Sequence, residues 1–259
     1  LTTIALAGKG GTGKTTVAAL LIRYLLEEQQ GPVLAIDADP ATNLDMVLGV
    51  KAEMSVGDIR EDMLDLVQSS GALAGSLPGG MSKQDYLDYQ VQMAVVEGDR
   101  FDLLVMGRPE GPGCYCAANQ MLRVIVDRLS KQYAHVVIDN EAGMEHLSRR
   151  TTRDVDVLLL VTDPTQRGLA TARQMAAMVP DLDIGVGRIY LVINRLRGEL
   201  PAPLAQAVAE TGLQWIGSVP EDRAMAEFEF TGRPLIDLPV DSVVYQAVRG
   251  IGRRILADA

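Results

Sequence analysis

The sequence predicts an α/β fold: one doubly wound, mainly parallel sheet flanked by helices. Three observations predict it. Seven short apolar runs lack the polar alternation of a half-exposed strand, as expected where helices cover both faces. Helical patterns separate these runs, and strand-helix-strand repetition favours right-handed crossovers within one sheet. Hydrophobic residues make up 47% of the 259 residues and aromatics only 4%, so the core that would cover those strands is aliphatic.

"TIALAG" (3–8) is the first strand, and a helix follows over 14–29. "PVLAID" (32–37) is the second strand. Residues 50–95 break the rhythm: "SSGALAGSLPGG" reads as a loop, and 55–67 and 82–95 as helical or irregular segments. We take this stretch as an insertion on a single domain spanning 1–259. The rhythm resumes with "DLLVMG" (102–107), a helix over 116–131, "HVVIDN" (135–140) and a helix over 144–154. Then come "DVLLLVT" (156–162), a helix over 166–179, "RIYLVIN" (188–194), a helix over 201–211, "QWIGSVP" (214–220) and helices over 221–230 and 242–257.

A net charge of −10 disfavours a surface built for nucleic-acid phosphates or anionic lipid. Neither nucleic acid nor stable membrane association is expected. No apolar run reaches the ~18 residues of a membrane span, and "LTTIALAG" has no basic flank of a signal peptide. Two cysteines are too few for a disulfide scaffold. The expectation is a cytoplasmic protein. Lysine is scarce, five against nineteen arginines, yet Lys9 and Lys14 share one loop.

That loop, "GKGGTGKT" (8–15), fits G-x-x-x-x-G-K-[ST] between a strand and a helix, the context a phosphate loop needs. Gly8, Gly10, Gly11 and Gly13 let the backbone curl so that successive N–H groups, including those of Thr12 and Thr16, face phosphate oxygens. The helix opening near Lys14 adds its positive end. Lys14 is expected to bridge the β- and γ-phosphates, and the Thr15 hydroxyl to ligate Mg2+. Lys9, second in the loop, belongs on its outer rim. From there it is placed to cross a dimer interface and offset charge on the partner's phosphates, as an arginine finger does in trans.

"KGGTGKTT" followed by "DADP" (37–40) resembles the deviant Walker A ATPases, the MinD/ParA group with the nitrogenase iron protein and their relatives. The resemblance covers nearly the whole chain. It implies a homodimer that closes face to face around two ATP molecules. It also implies that Asp39 positions or activates the attacking water, that Asp37 supports the Mg2+ shell, and that Asp139 accepts metal-bound water. Gly143 in "NEAG" matches the switch glycine that senses the γ-phosphate. Asn194 matches the asparagine that reads adenine, an amide suited to both edges of a base, and Pro220 lends backbone to the same base. Lys9, Lys14 and Asp39 are thus the catalytic candidates. No N-K-x-D arrangement for guanine occurs, which favours ATP over GTP.

Both cysteines, Cys114 and Cys116, stand in "GPGCYC". The C-x-C spacing is too tight for a relaxed structural disulfide and suits a shared metal. A helix start favours the thiolate, the form that binds metal. One chain offers two ligands; a twofold dimer brings four to one place, the tetrahedral number. This stretch, with Ala142–Leu147, resembles the CooC-type ATPases that mature carbon monoxide dehydrogenase by helping nickel into its cluster. The resemblance implies Ni2+ and a carbon monoxide dehydrogenase or acetyl-CoA synthase client; thiolate chemistry allows Zn2+ equally. Two rivals stand beside this reading. One is a ParA/MinD-like positioning ATPase, for which the amphipathic, arginine-bearing tail "VYQAVRGIGRRILADA" is the main feature. The other is an iron–sulfur reductase like the nitrogenase iron protein, which takes its cysteines from two distant loops. His146 reads as a helix-surface residue, His135 as structural, and Tyr115 has no role assigned.

Overall fold

A computed structural model of the chain describes residues 1–28, 31–69, 81–108, 116–143, 154–182 and 184–257. The apolar runs form the strands β1 (Thr2–Ala7), β2 (Val33–Ala38), β4 (Phe101–Val105), β5 (His135–Asn140), β6 (Asp154–Thr162), β7 (Gly185–Leu196) and β8 (Gln214–Pro220). With a short strand β3 (Val96–Glu97) they make one sheet in the order β3-β4-β2-β5-β1-β6-β7-β8. All pairings are parallel except β3 with β4. β1 lies between β5 and β6, with Leu6 level with Asp139 on one side and Leu159 on the other.

The continuous apolar runs have a direct cause. Ile4 and Leu6 of β1 face one core, while Ala5 and Ala7 face a second core across the sheet. A strand walled by two cores has no polar side to show. The second core takes α3 (Val56–Ser69), α4 (Lys83–Ala94), α5 (Cys116–Ser130), α6 (Gln166–Met178) and α7 (Ala202–Thr211). Val56, Ile59 and Met63 of α3 and Leu87 and Val91 of α4 lie in it, so the two segments within 50–95 read as helical or irregular each carry a helix that packs on the main sheet.

The first core holds α1 (Lys14–Glu27), in which only Thr15 and Glu27 escape burial. A helix apolar all round must be covered on its outer side, and α9 (Val243–Ala257) covers it. The approach is close: a Cβ on Gly252 would lie 2.3 Å from Cδ1 of Tyr24. Polar contacts fix the crossing. Arg23 Nε donates to Glu27 at 2.8 Å, Tyr245 OH donates to the same carboxylate, and the Arg23 guanidinium stacks 4.0 Å over the Tyr245 ring. Arg249 and Arg253 reach Glu28 at 3.3 and 3.7 Å. The amphipathic tail therefore turns its apolar face inward, and two of its arginines pair with α1. Among the described residues no helix is long and apolar enough to cross a membrane.

Elements not anticipated are α2 (Leu44–Leu48), the edge strand β3 and the short 3-10 helices Val179–Asp181 and Leu235–Asp237. The helix expected over 144–154 lies outside the described residues as far as 153, and Asp154 already belongs to β6. A last short helix, α8 (Arg223–Thr231), follows β8 after the N-cap Asp222, whose carboxylate accepts from Ala224 N at 3.1 Å.

Candidate functional site

The carboxyl ends of β1, β2, β5, β7 and β8 gather the expected residues at one edge of the sheet, where α/β folds bind ligands. The loop from Gly8 to Gly13 leaves β1 and enters α1. Gly13 is the N-cap of α1 at φ 85°, and a Cβ there would stand 2.2 Å from Asn194 Nδ2. Only glycine meets both demands. The loop is drawn onto its own Lys9 carbonyl, which accepts from Thr12 Oγ1 at 2.9 Å, Thr12 N at 3.4 Å and Lys14 Nζ at 3.4 Å. Thr12, Lys14 and Thr16 are buried, whereas Lys9, Gly10 and Gly11 are exposed. Lys9 thus sits on the rim, as its place in the loop suggests.

Thr15 and Asp139 meet directly: Thr15 Oγ1 donates to Asp139 Oδ2 at 2.6 Å. Asp139 is 1% exposed, and its second oxygen, Oδ1, is buried without a hydrogen-bond partner. Burial pushes this carboxyl up to about 7, and the neighbouring charges of Asp37 and Asp39 push the same way; the Thr15 bond and Lys14 pull against them. A hydroxyl beside an orphaned, electrostatically frustrated carboxylate oxygen is a fitting edge for Mg2+ and its water. Among the described residues no group of three or more His, Cys, Asp or Glu could hold a metal ion.

Asp37 lies level with Asp139 on the adjacent strand, and the structure gives it a job beside the metal role expected of it. Its Oδ1 accepts from Asp39 N, and its Oδ2 from Asn43 N and Leu44 N, each at 3.0 Å. Burial raises its pKa, and those three backbone donors oppose the rise. The carboxylate therefore folds the loop that carries Asp39 and starts α2. Asp39 is half-buried, with Oδ1 accepting from Ala41 N at 2.9 Å. Gly143 ties its loop to the phosphate loop, its N–H reaching the Gly8 carbonyl at 3.4 Å.

Pro220 of β8 pairs with Leu196 of β7, two residues beyond Asn194. Asn194 is 4% exposed and already engaged: Nδ2 donates to the Thr12 carbonyl at 2.7 Å, and Oδ1 accepts from Arg195 N at 2.9 Å. It is a buttress of the phosphate loop, a role that sequence reading missed. Arg195 was missed altogether; its Nη1 donates to the Gly11 carbonyl at 3.1 Å. Nothing in the sequence signals either contact, since the partners are separated by 182 and 184 positions. Cys114, Tyr115 and His146 lie outside the described residues, and Cys116 is the first residue of α5. His135 is buried at the start of β5.

A phosphate loop between a central parallel strand and a buried helix, with Thr15 against Asp139 and a second lysine at its rim, defines a P-loop nucleotide hydrolase. More closely, the chain belongs to the family described as the CobQ/CobB/MinD/ParA nucleotide binding domain, whose model matches residues 3–235. An uncharacterized ATP-binding protein of Methanocaldococcus jannaschii is 44% identical over 98% of both chains. The carbon monoxide dehydrogenase accessory protein CooC of Rhodospirillum rubrum is 32% identical over 91% of this chain and 89% of its own length. The cell division ATPase MinD of Pyrococcus furiosus superposes with a TM-score of 0.70 at 23% identity, covering 100% of this chain and 99% of its own. At that identity the likeness is one of fold.

Proposed function

We propose that this protein is an ATP-hydrolysing maturation factor that closes as a homodimer over ATP and Mg2+. In this reading Cys114 and Cys116 of both copies hold a soft divalent metal, Ni2+ or Zn2+, as cargo. The client is a carbon monoxide dehydrogenase or an acetyl-CoA synthase. The observation that carries the reading is the likeness to the accessory protein CooC over nine-tenths of the chain, in a sequence whose two cysteines are spaced C-x-C. The positioning role named for the MinD relatives has less support: the tail helix that would serve as a membrane anchor has its apolar face in the core.

The residues divide the work as follows. Thr15 would ligate Mg2+, with Asp139 accepting from its water and Asp37 supporting that shell, and the bound ion would neutralise phosphate charge. Lys14 leaves the Lys9 carbonyl for the β- and γ-phosphates, and Lys9 of the second copy adds a cation from across the interface. Asp39, held on the loop that Asp37 braces, orients the water that attacks the γ-phosphate. The Gly143 N–H has only a long bond to Gly8 to exchange for a γ-phosphate oxygen. Hydrolysis reverses that exchange. Driving such a two-state device from one side to the other takes about 5 kcal/mol of differential binding, which two triphosphates can supply.

Metal content decides this reading. Wild-type protein incubated with ATP and Ni2+ or Zn2+ is expected to retain about one ion per two chains, and the Cys114→Ala/Cys116→Ala double variant none. Equal retention by the two would remove the thiols from the scheme.

A further inference from the structure

Residue 195 is an arginine in the left-handed backbone region, at φ 58°, where a Cβ is disfavoured. It lies where the β7–β8 ladder slips between Ile193 and Leu196, and such irregularities re-aim side chains. Its Nη1 donates to the Gly11 carbonyl at 3.1 Å while the preceding residue, Asn194, donates to the Thr12 carbonyl at 2.7 Å. Asn194 Oδ1 also accepts from the Arg195 N–H at 2.9 Å. Two consecutive side chains of one strand end thus hold two consecutive carbonyls of the phosphate loop. Because a peptide unit is planar and trans, fixing the carbonyls of Gly11 and Thr12 fixes the directions of the N–H groups on Thr12 and Gly13. The Thr12 N–H has only a 3.4 Å bond to the Lys9 carbonyl, so it is the easier of the two to misdirect.

We infer that Arg195 is a positioning residue for the phosphate loop: its guanidinium holds the Gly11 carbonyl and thereby sets affinity for the phosphate chain of a nucleotide. Its unfavourable backbone conformation is what brings the guanidinium over the loop. Local strain of this kind persists where the surrounding contacts over-determine it and concentrates at working sites. The inference rests on nucleotide binding alone and is independent of the metal and the client.

The test is equilibrium titration with Mg·ATP, Mg·ADP and Mg·tripolyphosphate, together with steady-state hydrolysis, for wild type, Arg195→Ala, Arg195→Gly and Arg195→Lys. Alanine and glycine are expected to weaken all three ligands by about three- to tenfold, the worth of one solvent-exposed hydrogen bond. KM for ATP rises with them while kcat stays within about twofold. Lysine, which can still place a cation on the carbonyl, recovers most of the affinity. Glycine accepts the left-handed backbone, so its melting temperature stays at or above wild type and separates a lost tether from a lost fold. Unchanged affinity for all three ligands would overturn the inference. So would a loss confined to ATP and ADP, which would make Arg195 a reader of base or ribose, or a fall in kcat at unchanged KM.

Discussion

Asp139→Asn isolates the electrostatic cost of the site. In the nucleotide-free protein the Asp139 carboxyl is raised from 3.8 to about 7, chiefly by burial. The unfolded chain releases this proton near the ordinary carboxyl value, whereas the folded chain keeps it to about neutrality. Stability from this group is therefore present at low pH and is lost as pH rises through that window. At 1.36 kcal/mol per unit, about three units amount to about 4 kcal/mol of strain at pH 8. About 2 kcal/mol of it develops between roughly pH 5.5 and pH 8. An amide is neutral throughout, so the variant should melt higher than wild type, by a margin that grows with pH. For a chain of this size the margin should widen by about 4–8 °C across that interval. Thermal melts of both proteins at several pH values, with and without Mg·ADP, measure it. Mg·ADP should close the gap, because the cation gives the wild-type carboxylate the partner it lacks. A pH-independent gap, or a variant less stable at pH 8, would show that the buried Asp139 carboxylate carries no such cost.

Gly252→Ala places a Cβ 2.3 Å from Cδ1 of Tyr24. Forcing α9 off α1 is expected to lower unfolding free energy by about 1–3 kcal/mol, read as an earlier denaturant midpoint with nucleotide affinity little changed. Lys9→Ala, at an exposed rim position, should leave ATP binding within about threefold of wild type and reduce turnover by about a thousandfold or more, the scale of a trans-acting cation. Phosphate release at saturating ATP checks it, and undiminished release would deny Lys9 its role across the interface.

The sheet was legible because its strands are walled on both faces. Ile4 and Leu6 meet one core and Ala5 and Ala7 the other, so each strand appears in the sequence as an unbroken apolar word. The phosphate loop was legible because glycine, lysine and threonine at fixed spacing have few other uses between a strand and a helix. α2 was not legible: five residues are too few to display a period, and what starts the helix is the Asp37 carboxylate accepting from Asn43 N and Leu44 N. β3 pairs only Val96 and Glu97 with β4, below the length at which a strand declares itself. Asn194 was picked out for its amide, but its hold on Thr12 depends on chain segments that meet only after folding. Arg195 offered no sign, since an arginine in the left-handed region looks in sequence like any other arginine.

The claim at the centre is that two copies join over nucleotide and complete a thiolate site between them. The solution mass of the protein, measured by light scattering with a non-hydrolysable ATP analogue, Mg2+ and either Ni2+ or Zn2+, addresses it most directly. The mass of one chain is expected to become that of two, and removing nucleotide or replacing Cys114 and Cys116 to shift the balance back. A chain that stays single with every ligand supplied would contradict it.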